Sequence, residues 1–229
     1  LETPNIGIMA TRVLIADDHP LFRGALVQAL GACLDDVEIL EARDLPETAS
    51  LLEEHEDIDL VLLDLHMPGS HGLAGLASIR CHHPAVAVVV VSANEDPRVI
   101  RRVLDHGAAG FIPKSSGLDD MTTALNAVFG CREWVPPHLE RAVADLDSND
   151  EDLVLAEHIA ALTPQQFRVL ALVADGWLNK QIADELGIQE RTVKAHMSEI
   201  LQKLDVRNRT QAGVALRRLE LVDPASRLA

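Results

Sequence analysis

Two carboxylates stand side by side in "RVLIADDHPLFR" (12–23), at Asp17 and Asp18, directly behind an apolar run. A third, Asp64, closes "DLVLLD" (59–64). Ser92 lies near the end of "AVAVVVVSA" (85–93), and Lys114 follows "AGFIP" (109–113). Adjacent like charges at the mouth of a buried strand are unfavourable unless a cation sits between them. Three clustered carboxylates favour a hard divalent cation with oxygen ligands. Mg²⁺, which keeps several waters, suits a loose cluster, and Mn²⁺ could substitute. One carboxylate can act as a nucleophile and carry a phosphoryl group as an aspartyl-phosphate. The metal and Lys114 would then neutralise charge on the transferring oxygens, and Ser92 would hydrogen-bond the group once attached.

For these side chains to meet, the segments carrying them must share one sheet edge. Strands are expected at 12–16, 37–42, 59–64, 85–93 and 109–113, with helical patterns near 20–33, 44–56, 71–82, 96–106 and 117–131. The fourth run is apolar almost throughout and rich in valine, as expected of a strand buried on both faces. Strands alternating with helices imply a parallel, doubly wound α/β sheet, whose ligands bind beyond the carboxyl ends of the strands.

From Trp134 the texture changes. "WVPPHLERAVADLDSNDEDLVLAEHI" holds two prolines, a possible short helix and the acid-rich "DLDSNDED", read as a solvated linker rather than a mimic of nucleic-acid charge. Beyond residue 160 the pattern is purely helical. "LTPQQFRVLALVADG" opens with Thr163 as N-cap, Pro164 at the first helical position and Gln166 completing a capping box. "LNKQIADELG", "QERTVKAHMSEILQKL" and "NRTQAGVALRRLEL" follow as three further helices. In the third of the four, Val193, Met197, Ile200, Leu201 and Leu204 form an apolar stripe, while Arg191, Lys194, Ala195 and Ser198 fall on another face.

The net charge of −16 is unevenly spread: residues 157–229 carry ten Lys/Arg against nine Asp/Glu, and residues 1–156 ten against twenty-seven. Such an acidic chain is unsuited to sequence-blind nucleic-acid binding, although the near-neutral C-terminal part keeps room for a local contact surface. The odd number and wide spacing of Cys33, Cys81 and Cys131 suit a reducing cytoplasm. No run approaches the roughly 18 apolar residues of a membrane span, so no membrane partner is expected. Met9 reads as a natural start, with residues 1–8 an upstream extension or cloning remnant.

"IADDHP", "LVLLDLHMPG", "VVVSA" and "GAAGFIPKS" together resemble a response-regulator receiver domain, over residues 12 to about 131. The resemblance implies a flavodoxin-like sheet of order 2-1-3-4-5. Asp64 would be the phosphoacceptor, with Asp17, Asp18, Asp64 and the backbone carbonyl of His66 as metal ligands, Asp18 the more direct of the acidic pair. Ser92 and Lys114 would contact the phosphoryl group, Phe111 would be the switch aromatic, and His66 and Asn94 would tune phosphoryl lifetime. Where receivers often carry proline after the lysine, this chain has Ser115.

"LTPQQFRVLALVADGWLNKQIADELGIQERTVKAHMSEILQKLDVRNRTQA" resembles the LuxR-type helix-turn-helix, and the two units together resemble the NarL/FixJ family of two-component transcription regulators. The expected organisation is a receiver over 9–131, an acidic linker over 132–160 and an all-α, four-helix DNA-binding domain over 161–229. Arg191, Lys194, Ala195 and Ser198 would face bases in the major groove of double-stranded DNA, and Lys180, Thr192, Arg207 and Arg209 would contact phosphates. Family members often have Arg-Glu where this chain has Gln165-Gln166, and a serine cap where it has Gln189.

A sensor histidine kinase would donate the phosphoryl group. The unphosphorylated receiver would cover the recognition helix, and phosphorylation would shift the face of the fourth and fifth helices and strands and release a homodimer onto paired half-sites. Two other classes compete: a regulator whose helical domain binds protein, and a phosphotransferase or phosphatase turning over through an aspartyl-phosphate. Haloacid-dehalogenase-type phosphatases carry a second Asp two residues after the nucleophile. His66 stands there instead, so slow self-dephosphorylation without enzymatic turnover is expected.

Overall fold

The computed structural model describes residues 11–146 and 150–219. The expected N-terminal extension (1–8) and part of the acid-rich run lie outside these residues. The strands are β1 (Thr11–Ala16), β2 (Val37–Ala42), β3 (Leu60–Asp64), β4 (Ala87–Ser92) and β5 (Gly110–Pro113). They form one parallel sheet of order β2-β1-β3-β4-β5, as expected. Between and after them run α1 (Pro20–Cys33), α2 (Leu45–Glu54), α3 (Leu73–His82), α4 (Pro97–Asp105) and α5 (Leu118–Phe129).

Both faces of the sheet are apolar because alternate residues of each central strand feed different cores. Val13 and Ile15, Leu60 and Leu62, Val89 and Val91 point to the layer with Leu26 and Leu30 of α1 and Met121 and Leu125 of α5. Leu14, Val61, Leu63, Val88 and Val90 point to the opposite layer, with Leu52 of α2, Leu76 of α3 and Val103 of α4. Helix α3 starts two residues later than its pattern suggests, because His71 and Gly72 take positive φ angles of 46° and 62° and break the helical path.

The stretch expected as a solvated linker is ordered in part against the receiver. Trp134 forms a bridge to Gly110, donating its N–H to the Ala109 carbonyl and accepting the Phe111 N–H on its own. A Cβ added at Gly110 would stand 2.9 Å from the Trp134 oxygen, so glycine is what permits this approach. Two helices follow, α6 (Glu140–Ala144), which packs on α4, and α7 (Asp150–Ala160), which packs on α3.

The C-terminal unit comprises α8 (Pro164–Ala174), α9 (Asn179–Leu186), α10 (Glu190–Lys203) and α11 (Arg209–Leu219). Gly187 closes α9 at φ 64°, in the left-handed region that glycine enters without penalty. Val193, Met197, Ile200 and Leu204 are buried as the stripe requires, and Leu201 is half-buried. A single apolar core runs from α3 through α7 into α8, joining the two units. The His71 ring meets Phe167 of α8 edge-on at 6.0 Å, and Arg102 of α4 donates to the Arg218 carbonyl of α11 at 3.1 Å.

Helix α8 opens with the expected capping box. Thr163 Oγ1 accepts the Gln166 N–H, and Gln166 Oε1 accepts the Thr163 N–H. Gln166 is only 3% exposed. Its Oε1 also accepts from Lys203 Nζ at 2.8 Å, while its Nε2 donates to Glu199 Oε2 at 2.5 Å. The amide is therefore used at both ends. A glutamate here would lose the donor and face a second carboxylate. Gln166→Glu is expected to lower unfolding stability by about 1 kcal/mol, and Glu199→Gln added to it to restore most of the loss, as read by thermal circular dichroism.

Candidate functional site

The chain leaves β1 for β2 on one side and returns to β3 on the other, so a crevice opens between the ends of β1 and β3. Asp17 follows β1 and Asp64 ends β3, and each side chain's residue is 1% exposed. Burying two carboxylates is unfavourable unless each is paired and hydrogen-bonded. Lys114, delivered by the loop after β5, meets both: its Nζ is 2.8 Å from Asp17 Oδ2 and 2.8 Å from Asp64 Oδ2. The lysine is held in turn by its N–H on the Ser92 carbonyl and by the Phe22 ring, 5.3 Å from the ammonium.

Burial opposes the ammonium charge. The hydrogen bonds from Asp17 and Asp64 and their negative charges outweigh it, holding the Lys114 pKa above its usual value of 10.5. The other oxygen of each carboxylate is also engaged. Asp64 Oδ1 accepts the His66 N–H at 3.0 Å, and Asp17 Oδ1 accepts the His19 N–H at 2.7 Å. Asp18, its side chain 33% exposed, lies at the mouth. One oxygen each from Asp17, Asp18 and Asp64 and one nitrogen of His19 fall within 4.8 Å of one another, a donor set suited to a divalent cation.

Of the remaining expected site residues, Ser92 is fully buried at the end of β4 opposite Pro113 of β5, and its Oγ accepts the Asn94 N–H at 3.2 Å. Asn94 Oδ1 accepts the Asp96 N–H, and Asp96 caps α4 by accepting the Arg98 N–H. Ser92 is thus linked to the start of α4 by three successive side chains. Phe111 is fully buried in the α2/α3/α4 core. His66 is placed beside Asp64, its Nδ1 3.9 Å from Asp64 Oδ1. Ser115, standing where proline is usual, donates to Glu95 at 2.6 Å and ties the β5–α5 loop to the β4–α4 loop.

Two participants were not singled out from the sequence. His19 Nδ1 lies 2.7 Å from Asp18 Oδ1. Arg23, 7% exposed, donates from Nη1 to the Asp17 carbonyl at 2.7 Å and from Nε to Glu41 Oε2 at 2.6 Å, so it pins the β1–α1 loop to β2. A signal for Arg23 was present: it shares the stripe of Leu26 and Leu30 on α1, where a charge needs a buried partner.

In the C-terminal unit, Arg191, Lys194, Ala195 and Ser198 are all exposed on one side of α10. The receiver does not cover them, contrary to expectation: α7, α8 and α11 face the receiver instead, because their apolar residues continue the core beside α3. Lys194 pairs with Glu190 at 2.9 Å, one turn back. Gln189 makes no side-chain cap to α10. Lys180 and Arg207 are exposed, and Thr192 is half-buried. Arg209 is differently engaged: its guanidinium donates to Asn179 Oδ1 at 3.2 Å and to the Trp177 carbonyl at 2.6 Å, holding the start of α9.

Comparison with known proteins agrees with this construction. Residues 13–126 match the response regulator receiver domain, and residues 160–216 match the bacterial regulatory proteins of the luxR family. The chain is 42% identical over 204 residues to a glycerol metabolism activator of Pseudomonas putida, spanning 88% of this chain and 92% of that protein. It is 32% identical over 202 residues to the nitrate/nitrite response regulator NarL of Escherichia coli, spanning 88% and 93%. Among solved structures, the response regulator RcsB of Salmonella typhimurium is 26% identical, with a TM-score of 0.53 over 91% of this chain and 97% of that one. RcsB in complex with DNA is 25% identical, with a TM-score of 0.54 over 92% and 97%. The chain belongs to the response regulators of the NarL/FixJ type, in which a receiver is joined to a LuxR-type helix-turn-helix domain.

The raised Lys114 pKa sets a sign for pH dependence. A group held above its unfolded value contributes stability that is complete below that value and is lost as pH rises through the folded one. Wild type is therefore expected to lose thermal stability more steeply above about pH 10.5 than Lys114→Met does. At neutral pH the variant is expected to be less stable by about 1–3 kcal/mol.

Proposed function

We propose that the protein is a transcription regulator whose binding to double-stranded DNA is controlled by phosphorylation of Asp64. The observation that carries this reading is the single ammonium of Lys114 shared by Asp17 and Asp64 at the sheet's switch point, in a chain that also presents an exposed polar face on α10. An Asp64 oxygen attacks the phosphorus of a phosphohistidine on a sensor kinase. The new O–P bond forms as the N–P bond breaks, and the donor imidazole leaves with that electron pair.

Asp17, Asp18, Asp64 and the His66 carbonyl would hold Mg²⁺, with Mn²⁺ able to replace it. The ion supplies charge neutralisation at the transferring oxygens. Lys114, already on Asp64, can follow the phosphoryl group without leaving the pocket. Ser92 can donate its hydroxyl to the same group, and doing so alters the Ser92–Asn94–Asp96 linkage that begins α4. Phe111, whose backbone is tied to Trp134, lies on the neighbouring strand. His66 and Asn94 flank the reacting centre and set how long the acyl phosphate lasts before water attacks it, a slow self-dephosphorylation rather than turnover on an external substrate.

On the output side, Arg191, Lys194, Ala195 and Ser198 read base edges while Lys180, Thr192 and Arg207 position the domain on phosphates, in a homodimer on paired half-sites. Arg209 supports this surface from within. The signal has a short path to the output unit, because the loop that leaves Asp64 ends at His71 on Phe167. A cytoplasmic location follows from this reading.

Selection from random-sequence DNA with a small phosphodonor and Mg²⁺ is expected to recover a paired half-site. Affinity for that site should rise at least ten-fold on phosphorylation, a differential of about 1.4 kcal/mol, and stay at the basal level in Asp64→Asn. Equal affinity in all states would reject phosphorylation control, and no recovered site would favour a protein-binding output. Lys180→Ala is expected to reduce the salt dependence of binding by about one unit of slope, whereas Arg209→Ala should lower the domain's melting temperature with the slope retained.

A further inference from the structure

The acidic pocket contains a donor that an all-oxygen magnesium site does not need. His19 is placed by backbone constraints on both sides: its N–H is bound to Asp17 Oδ1, and the next residue, Pro20, starts α1. Its Nδ1 stands 2.7 Å from Asp18 Oδ1, 3.3 Å from Asp17 Oδ1 and 4.0 Å from Asp64 Oδ2. Around an octahedral ion with bonds of about 2.1 Å, donors at neighbouring positions lie about 3 Å apart and donors at opposite positions about 4.2 Å. The His19 nitrogen already stands at separations of this kind from one oxygen of each of the three carboxylates.

Building on the cation-site reading of this pocket, we propose that His19 is a metal ligand there, and that its nitrogen makes the pocket select first-row transition-metal dications of the Mn²⁺ class over Mg²⁺. Mg²⁺ is hard, prefers oxygen and dehydrates reluctantly, so an imidazole adds little to its binding. Imidazole nitrogen binds transition dications more strongly, and Mn²⁺ also accepts the carboxylates of the same pocket. The ring's 64% exposed side chain lets it turn onto an incoming ion without breaking core packing. Lys114 Nζ lies 3.4 Å from the same nitrogen, but its charge opposes every dication alike and does not alter the difference between metals. His66 is the other nearby imidazole. Its Nδ1 is 3.9 Å from Asp64 Oδ1, the oxygen that accepts the His66 N–H, and it lies outside the four-residue donor group.

The test uses the full chain and its His19→Gln, His66→Gln and Asp18→Asn variants, at a pH where imidazole is neutral. Mn²⁺ binding is followed by electron paramagnetic resonance, Mg²⁺ by competition against it, and ¹⁴N coupling to bound Mn²⁺ by electron spin echo. Wild type is expected to show the nitrogen coupling. In His19→Gln the coupling should vanish, with Mn²⁺ affinity falling about ten-fold and Mg²⁺ affinity changing less than about two-fold. In His66→Gln the coupling should persist. No coupling in wild type, or equal losses for the two metals in His19→Gln, would overturn the inference while Asp18→Asn still weakens both metals. If Asp18→Asn binds both metals as wild type does, the pocket is not the cation site and both readings fall together.

Discussion

One ammonium group holds this receiver's pocket together. Asp17 and Asp64 are buried at the ends of neighbouring parallel strands, where their charges would repel and neither could reach water. Lys114 meets both at 2.8 Å from the loop after β5, two strands beyond β3 in the chain, and it is itself steadied by Ser92 and Phe22. Without that cation, two negative charges in a low-dielectric crevice would favour protonation or opening of the strand ends. With it, the two carboxylates can share one crevice, with Asp18 beside them at the mouth. If Asp64 accepts a phosphoryl group as proposed, a response is required of this centre, since the new oxygens would be shared among the same few donors.

The surroundings of the pocket give that response somewhere to go. Arg23 locks the backbone of Asp17 to Glu41 of β2, so the acidic pair cannot retreat. On the other side, Ser92 connects through Asn94 to the Asp96 cap of α4, and Ser115 connects through Glu95 to the same loop. Trp134 and α6 lie over β5 and α4, so the stretch after the receiver rests on the elements that a change at Ser92 would move. A second route leaves Asp64 itself by the loop ending at His71.

Packing of the two units explains why α10 faces outward. The apolar residues of α7, α8 and α11 continue the core beside α3, and hydrophobic burial is indifferent to which domain supplies the surface. That seam leaves the polar side of α10 on the outside. In this arrangement control of the output surface cannot rest on simple masking of Arg191 or Lys194 by the receiver.

Much of this was legible in the chain. The strand and helix order follows from apolar periodicity, because a strand buried on both faces and an amphipathic helix impose different spacings. The three aspartates, Ser92 and Lys114 could be assembled on one edge because parallel strands all end on the same side. Thr163, Pro164 and Gln166 specified the start of α8, since capping is chemistry between near neighbours. Tertiary structure decided the rest: that Lys114 divides itself between Asp17 and Asp64, that His19 joins the carboxylates, that Arg209 serves α9 rather than the surface, and that Trp134 and α7 dock on the receiver. Each of these depends on contacts between residues distant in sequence or on the direction of a single side chain. Local pattern encodes which face of an element is apolar, whereas only the folded chain determines which partner that face, or that charge, finally meets.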